Sequence, residues 1–402
     1  MRSYTKTIIV MKEYRTAKGW AILIYIFAPL MIGLMLLCLV MPFFPETEND
    51  ISPDAYWILA PILLGGIALF VGALLETIKG RFVIDVDNSK VYSTGAFTNR
   101  ELLFSEIRGY RVVDKYIIIE PSIESKKEIK IGTHLSKSNE IIEWLSSQYP
   151  DLDVLNAILE EQEILSNEEF GWTTEQREEK LKNARKTSII LNWAGGIVGA
   201  WVLFWTDPTA VIASIIVPLI SIIALKLSRG LIRTDEVKGT AYPTIFWALF
   251  APSLGLCLRA LFDYNIFDYS NLWIPLTTIT LLLIVVILLG NKEFKFKKAK
   301  DYLAILGISV FGLAYGYGTI VSLNCVYDKS EPVFYTSKII SKRISSGKST
   351  TYYFELTPWG PQKETEEVSV SRTLYNNHEV GNQVTIYFKK GQFEIPWFVV
   401  TD

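Results

Sequence analysis

Cysteine and histidine are scarce in this chain, and each shortage removes a class of function. Only three cysteines occur in 402 residues, Cys38, Cys257 and Cys325, all in or at the end of apolar segments. They show no pairing and no C-x-x-C spacing, which argues against a disulfide framework and a zinc knuckle. The two histidines, His134 and His378, fall in separate polar blocks, so no histidine-based metal site is expected. Neither sign of charge dominates. Lys and Arg number 40 against 42 Asp and Glu, a net charge of −2, which points away from nucleic-acid binding and from an acidic tail. Also missing are G-x-x-x-x-G-K-[ST], G-x-G-x-x-G after a strand, H-E-x-x-H and G-x-S-x-G. Ser349, Ser369 and His378 share one C-terminal block, but serine and histidine at arbitrary spacing are expected by chance. No catalytic, cofactor-binding or metal-binding residue is assigned. No cofactor is expected, and the chain is read as non-enzymatic.

What the chain has is apolar length. Half of its residues are apolar and 13% are aromatic, with a mean hydropathy of +0.26, yet 20% are charged. Apolar blocks must therefore alternate with polar ones. Crossing the ~30 Å hydrocarbon layer takes roughly 20 apolar residues in a helix. Seven stretches qualify: Trp20 to Met41, Tyr56 to Leu75, Ser188 to Trp205, Thr209 to Leu225, Tyr242 to Leu261, Leu272 to Gly290 and Tyr302 to Cys325. The first, second and sixth are the clearest. The first run is too long for a signal peptide and lacks a small-residue cleavage site, so no cleaved leader is expected.

The loops carry an independent signal, because Lys and Arg collect on the cytoplasmic side of membrane proteins. Arg2, Lys6, Lys12, Arg15 and Lys18 precede the first run, whereas the loop from Pro42 to Ala55 has no basic residue and carries Glu46, Glu48, Asp50 and Asp54. Lys79 and Arg81 follow the second run, and Lys226, Arg229, Arg233 and Lys238 follow the fourth. The turn at Asp207 and the loop from Phe262 to Asn271 hold none. This alternation predicts a cytoplasmic N-terminus and an extracytoplasmic C-terminus in a multi-pass cell-membrane protein. Trp20, Trp57, Trp205, Trp273 and Tyr302 fall near the expected interfaces, where amphipathic rings prefer to lie.

Between the sixth and seventh runs, Lys292, Lys295, Lys297, Lys298 and Lys300 form a basic cluster interleaved with Phe294 and Phe296. At roughly 1 kcal/mol per basic residue near anionic lipid, this cluster should grip the inner leaflet. Deep inside the apolar runs no ionisable residue is read. Glu76, Lys226 and Arg259 fall near run ends, where side chains snorkel. Pro29, Pro61, Pro218, Pro252 and Pro275 interrupt five runs, and Gly195-x-x-x-Gly199 and Gly312-x-x-x-Gly316 have the spacing for close helix approach, read as internal packing. Asn192 and the threonines 277, 278 and 280 are read as hydrogen-bonded within or between helices.

The polar blocks divide the chain into 1–79, a basic segment and membrane hairpin; 80–150, a cytoplasmic domain; 151–187, a charged helical connector; 188–325, a five-helix membrane region; and 326–402, an extracytoplasmic β-domain. In 80–150, Phe82, Ile84 and Val86 alternate with Val83, Asp85 and Asp87, short strands follow at 102–104, 110–113, 116–120 and 129–131, and a helix capped by Ser138 buries Ile141, Ile142 and Leu145. In the connector, Ser166-x-x-Glu169 and Thr173-x-x-Gln176 have capping-box spacing. In 326–402, strands are read at 334–344, 351–356, 368–370, 384–388 and 397–400, a small barrel or sandwich.

The stretch Phe82-Val-Ile-Asp85, Leu103-Phe-Ser-Glu-Ile107 and the helix around Trp144 resembles the bacterial pleckstrin-homology-like domains, here following a membrane hairpin. Gly381-Asn-Gln-Val-Thr-Ile-Tyr387 and Pro396-Trp397 resemble the small β-domains of uncharacterised bacterial envelope proteins. The first resemblance implies a β-barrel-plus-helix fold and binding rather than catalysis. The second implies a fold and no activity. The expected fold class is an α-helical integral membrane protein of about seven transmembrane helices with a PH-like domain and a C-terminal all-β domain. Its expected partners are the lipid bilayer, through the anionic inner leaflet, and a protein at either soluble domain. The alternative is a transporter or channel-like protein for an uncharged solute.

Overall fold

The computed structural model describes residues 11–41, 53–205, 207–289, 291, 293–294, 299–346 and 350–402. The chain forms two compact units: Met1–Glu160 with Lys238–Ala241, and Glu161–Val237 with Tyr242–Asp402.

The first unit opens with β1 (Met11–Arg15), then α1 (Lys18–Val40) and α2 (Pro53–Lys79). It continues with β2 (Arg81–Asp85), β3 (Lys90–Thr94), β4 (Asn99–Leu103), β5 (Ile107–Val113), β6 (Tyr116–Pro121), β7 (Ile129–Gly132) and α3 (Ser138–Gln148). Strand β1 pairs antiparallel with β2, Tyr14 opposite Phe82, so the hairpin α1–α2 is an insertion between two neighbouring strands. The result is a four-stranded sheet β1-β2-β3-β4 and a three-stranded sheet β5-β6-β7. Phe82, Leu102, Ile117, Ile129, Ile141 and Leu145 close one core between the sheets and α3. The sequence pattern gave no strand at 11–15, because only Tyr14 of those five residues is buried and a single inward side chain leaves no alternation. The expected alternation is not seen in β2: Phe82, Val83, Ile84 and Asp85 are all buried, and Val86 is exposed beyond its end. Helix α3 is capped by Lys137 in the left-handed region (φ 58°), not by Ser138, which is its first residue.

Helix α4 (Leu152–Ser166) leads from the first unit into the second, which continues with α5 (Thr174–Phe204), α6 (Pro208–Leu227), α7 (Phe246–Asp263), β8 (Asn265–Ile266), α8 (Trp273–Leu288) and α9 (Ala299–Val326). The connector and the third apolar run are thus joined, since α5 is one helix of 31 residues. The Thr173 side chain caps it by accepting from Gln176 N at 3.4 Å. The Ser166 spacing forms no such box: Ser166 ends α4, and Asn167 caps the turn that follows by accepting from Glu169 N.

Among the described residues, six helices are long and apolar enough to cross a membrane, namely α1, the Tyr56–Lys79 part of α2, α5, α6, α7 and the Tyr302–Val326 part of α9. The chain is therefore a multi-pass membrane protein. The remaining run, the sixth, is α8, which is apolar but has only 16 residues, ~24 Å at 1.5 Å per residue. The C-terminal flank of its run begins with Leu289, already outside helical geometry (ψ 114°), which shortens the segment that the sequence made one of the clearest. Pro29, Pro61, Pro218 and Pro252 lie inside helices, while Pro275 lies in the first turn of α8, where a proline breaks no intrahelical bond.

The chain ends in β9 (Val333–Ser346), β10 (Thr350–Leu356), β11 (Glu366–Val370), α10 (Arg372–Asn377), β12 (Gln383–Lys389) and β13 (Trp397–Thr401). These strands and β8 make one antiparallel sheet, order β11-β10-β9-β12-β13-β8, curled into a near-closed barrel. The 14-residue β9 makes the curl: its first half pairs with β12 and its second half with β10, with a register shift beside Leu356. Such an irregularity bends a strand. Ile339, Phe354, Val384, Ile386 and Phe398 fill the interior.

Candidate functional site

The helices of the second unit meet through small and polar residues. An added Cβ at Gly195 would strike Ala248, and one at Gly199 would strike Ala251, both on α7. At Gly312 and Gly316 it would press on Thr280 and Leu276 of α8. Both glycine pairs therefore serve packing inside the chain, as their spacing implied. Asn192 of α5 caps the start of α7, donating to Thr244 O at 2.7 Å and accepting from Ala248 N at 3.0 Å. Thr277 and Thr278 donate to carbonyls four residues back, at 2.5 and 2.8 Å.

The two cations near run ends act on neighbouring helices. Lys226 of α6 donates to Ile287 O (3.1 Å) and Leu289 O (2.5 Å), the C-terminal carbonyls of α8. Arg259 of α7 is 6% exposed. Its guanidinium donates to Val202 O at 2.7 Å and to Trp205 O, both at the end of α5, and pairs with Asp263 at 3.1 Å. The expectation that Arg259 snorkels to water is thereby corrected. A helix C-terminus leaves its last carbonyls without intrahelical donors and carries partial negative charge, so a cation placed there gains both bonds and dipole stabilisation.

Helix α9 carries the longest polar track. Tyr315 hydroxyl donates to Ile215 O of α6 at 2.9 Å, in the turn preceding Pro218. Proline supplies no N–H and its ring crowds the preceding turn, so carbonyls there take donors from elsewhere. Thr319 and Ser322 follow along α9, and Ser214 lies on α6. All three are buried, with hydroxyls that have no partner among the described residues.

At its end α9 is locked to the C-terminal barrel. Asn324 is fully buried; it accepts from Phe393 N (2.9 Å) and donates to Ile395 O (2.9 Å). Its amide fills the space where a Cβ at Gly391 would stand, and Gly391 has φ +80°, a conformation that excludes most side chains. Four residues on, Asp328 accepts from Trp397 Nε1 (2.8 Å), Gly391 N (3.0 Å) and Ser330 N (2.8 Å), with Lys389 at 3.7 Å. Burial pushes the Asp328 carboxyl up, but these hydrogen bonds outweigh it and hold the group below its ordinary range. The α7–α8 loop joins in, since β8 pairs with β13 and Asn271 donates to Glu394 O at 2.7 Å. Ile395 and Trp397 of the barrel share one apolar cluster with Ala260, Leu276, Ile320 and Cys325 of the helices. The barrel is thus a continuation of the helices. The two-residue β8 was beyond sequence reading, because its only signal is a partner 131 or more positions away in the chain.

In the first unit the basic residues are mostly engaged. Arg111 pairs with Glu120 at 2.5 Å and Asp153 at 2.8 Å, Lys126 with Glu106 at 2.6 Å, and Lys130 with Glu128 at 3.0 Å. Arg100 donates to Glu128 O. Lys292, Lys295, Lys297 and Lys298 lie outside the described residues, and of Lys300 only its place at the start of α9 is described. Ser349 also lies outside them; His378 meets Leu374 O at 3.1 Å and Asp402 at 3.7 Å. The three cysteines are free, and no group of His, Cys, Asp and Glu arranged to hold a metal occurs among the described residues. No family model matches the chain, and no curated protein or solved structure is significantly similar to it.

Proposed function

We propose that this chain is a non-enzymatic coupling protein of the bacterial cell membrane, binding a protein on the cytoplasmic side and an envelope component outside. The observation that carries this reading is how each β-domain is attached. One receives a transmembrane hairpin between its first two strands; the other is hydrogen-bonded to the last turn of α9 and takes its edge strand from the α7–α8 loop. Domains joined through single flexible linkers would only tether, whereas domains built into helix ends transmit a displacement. Seven strands in sheets of four and three, closed by a helix, support a pleckstrin-homology-like assignment for the first domain. The pairing of its basic residues favours a protein partner over a phospholipid headgroup. The alternation of loop charge supports a cytoplasmic first domain and an outer barrel, which requires α8 to cross as well. Its antiparallel run along α9, with Leu276 against Gly316 and Thr280 against Gly312, supports that crossing. The lysine cluster from Lys292 to Lys300 is assigned to the anionic inner leaflet.

The test is crosslinking and affinity capture of the full chain from native membranes, with crosslinker placed separately on each domain. A distinct protein or envelope component recovered from each side supports coupling; only lipid adducts on both sides would overturn it. A second reading, passage of an uncharged solute, draws on the buried hydroxyls of Ser214, Thr319 and Ser322, without partners among the described residues, and on Pro218 within α6. Glycerol swelling of liposomes separates the two, since faster swelling with the chain than without it selects transport.

A further inference from the structure

Helices α7 and α9 flank a groove of about 720 Å³ in the membrane-spanning part of the second unit. Its walls are mainly apolar: Phe246 and Phe250 from α7, stacked at 5.3 Å, line it with Leu306, Val310 and Phe311 from α9. Apart from Ser253 on α7, its polar residues lie at one end. There Thr234 and Asp235 border the groove, their backbone N–H groups fixed by the Glu293 carboxylate at 2.9 and 3.0 Å. These residues lie in the segments that follow α6 and α8, outside the helices, which places the polar end at the membrane surface. Along α9 the groove runs from Leu303 to Ala314, ~17 Å at 1.5 Å per residue. That is close to one leaflet, half of the ~30 Å hydrocarbon core.

Gly307 sharpens the reading. Glycine is among the poorest helix formers, so inside a helix it needs a reason. On α9 the reason at Gly312, Gly316 and Gly318 is close packing, because a Cβ there would meet α8 or α7 at 3.1, 3.0 and 2.7 Å. At Gly307 a Cβ would meet nothing within 4 Å, and the residue lines the groove. Its missing side chain keeps the groove open.

We infer that the α7–α9 groove is a binding site for one acyl chain of a membrane phospholipid, seated with its carbonyl end toward Thr234 and Asp235. The location inside the bilayer, the leaflet-length dimension and the single polar end together specify an amphiphile drawn from the surrounding leaflet. A water-soluble ligand would meet only Ser253 along the walls, and its hydroxyl already donates to Leu249 O at 2.7 Å.

The full chain, extracted in mild detergent and weighed intact by native mass spectrometry, should retain one phospholipid per chain. Gly307→Phe sets a ring on the groove at a position where the Cβ meets nothing within 4 Å, and should lower the bound fraction about tenfold, the effect of a modest loss of binding energy. Gly196→Phe, at an equally open glycine on α5 away from the groove, should leave it unchanged. A photoreactive residue at position 314, used in the wild-type background, should crosslink phospholipid and gives a readout that does not depend on Gly307→Phe folding. A wild-type chain without lipid, an equal lipid load in Gly307→Phe and wild type, or a crosslink from position 314 to a protein segment instead of lipid would each overturn the inference.

Discussion

The hairpin α1–α2 and the set α5, α6, α7 and α9 are both long and apolar enough to span a membrane, yet they are built on different chemistry. The spanning window of α1 has a mean hydropathy of 2.7 with 6% of its residues buried, and that of α2 has 2.5 with none buried. In α7 the corresponding values are 1.3 and 44%. Lipid accepts any apolar side chain, so a lipid-facing helix has only to be greasy. A helix with helical neighbours instead uses small residues for close approach and polar ones for bonds between helices. Among the described contacts, α1 and α2 meet through the side chains of Phe27 and Phe70 at 6.0 Å, the Met35 side chain over Gly66, and a bond from Tyr56 to Leu39 O. The larger set is held by Gly195, Gly199, Gly255 and Gly318 in backbone contact, and by Asn192, Arg259 and Tyr315 bonding to other helices.

The largest effect should come from Arg259. A buried acceptor left without its donor costs about 1–3 kcal/mol. Arg259→Ala leaves two such carbonyls, Val202 O and Trp205 O at the end of α5, so the thermal unfolding temperature in detergent should fall steeply. Replacing lipid-facing Leu30 with alanine should change stability by ~0.5 kcal/mol or less. Equal losses would erase the distinction. Next come the glycines: Gly199→Leu should destabilise by about 1–3 kcal/mol through overpacking. Gly65→Leu, where a Cβ meets nothing within 4 Å, should be near neutral in the same assay.

The same contrast explains what could be read from sequence. Apolar length marked all seven runs, and strands 333–401 were legible because the barrel buries one face of each. The inserted hairpin was not legible: β1 is five residues of which one is buried, and its partner lies beyond 65 residues of helix and loop. Arg259 looked like a snorkelling end because its carbonyl partners sit on α5, some 55 positions earlier. Capping at 137 and 138 differed because a left-handed Lys137 is a backbone solution that side-chain propensity does not signal.

Smaller effects belong to the barrel joint. Asn324→Leu leaves Phe393 N and Ile395 O unpaired and should cost about 1–3 kcal/mol. Asp328 should make this joint acid-sensitive. Its folded-state value is lowered, so its contribution is fully present above the ordinary carboxylate range and is lost as pH falls through the lower folded value. Trp397 donates to Asp328, so its fluorescence should report loosening below about pH 4, the usual aspartate range. Asp328→Asn should flatten that transition, and a transition of unchanged size would assign it to another group.

Whether α8 crosses decides whether the two β-domains face opposite sides of the membrane. Single cysteines at Lys115 and at Lys363, in a chain with Cys38, Cys257 and Cys325 replaced by alanine, can be probed in intact cells with a membrane-impermeant thiol reagent. Labelling at position 363 alone, with position 115 reached only after lysis, is the result expected from seven crossings. Labelling of both positions, or of neither, before lysis would place the domains on one side and contradict it.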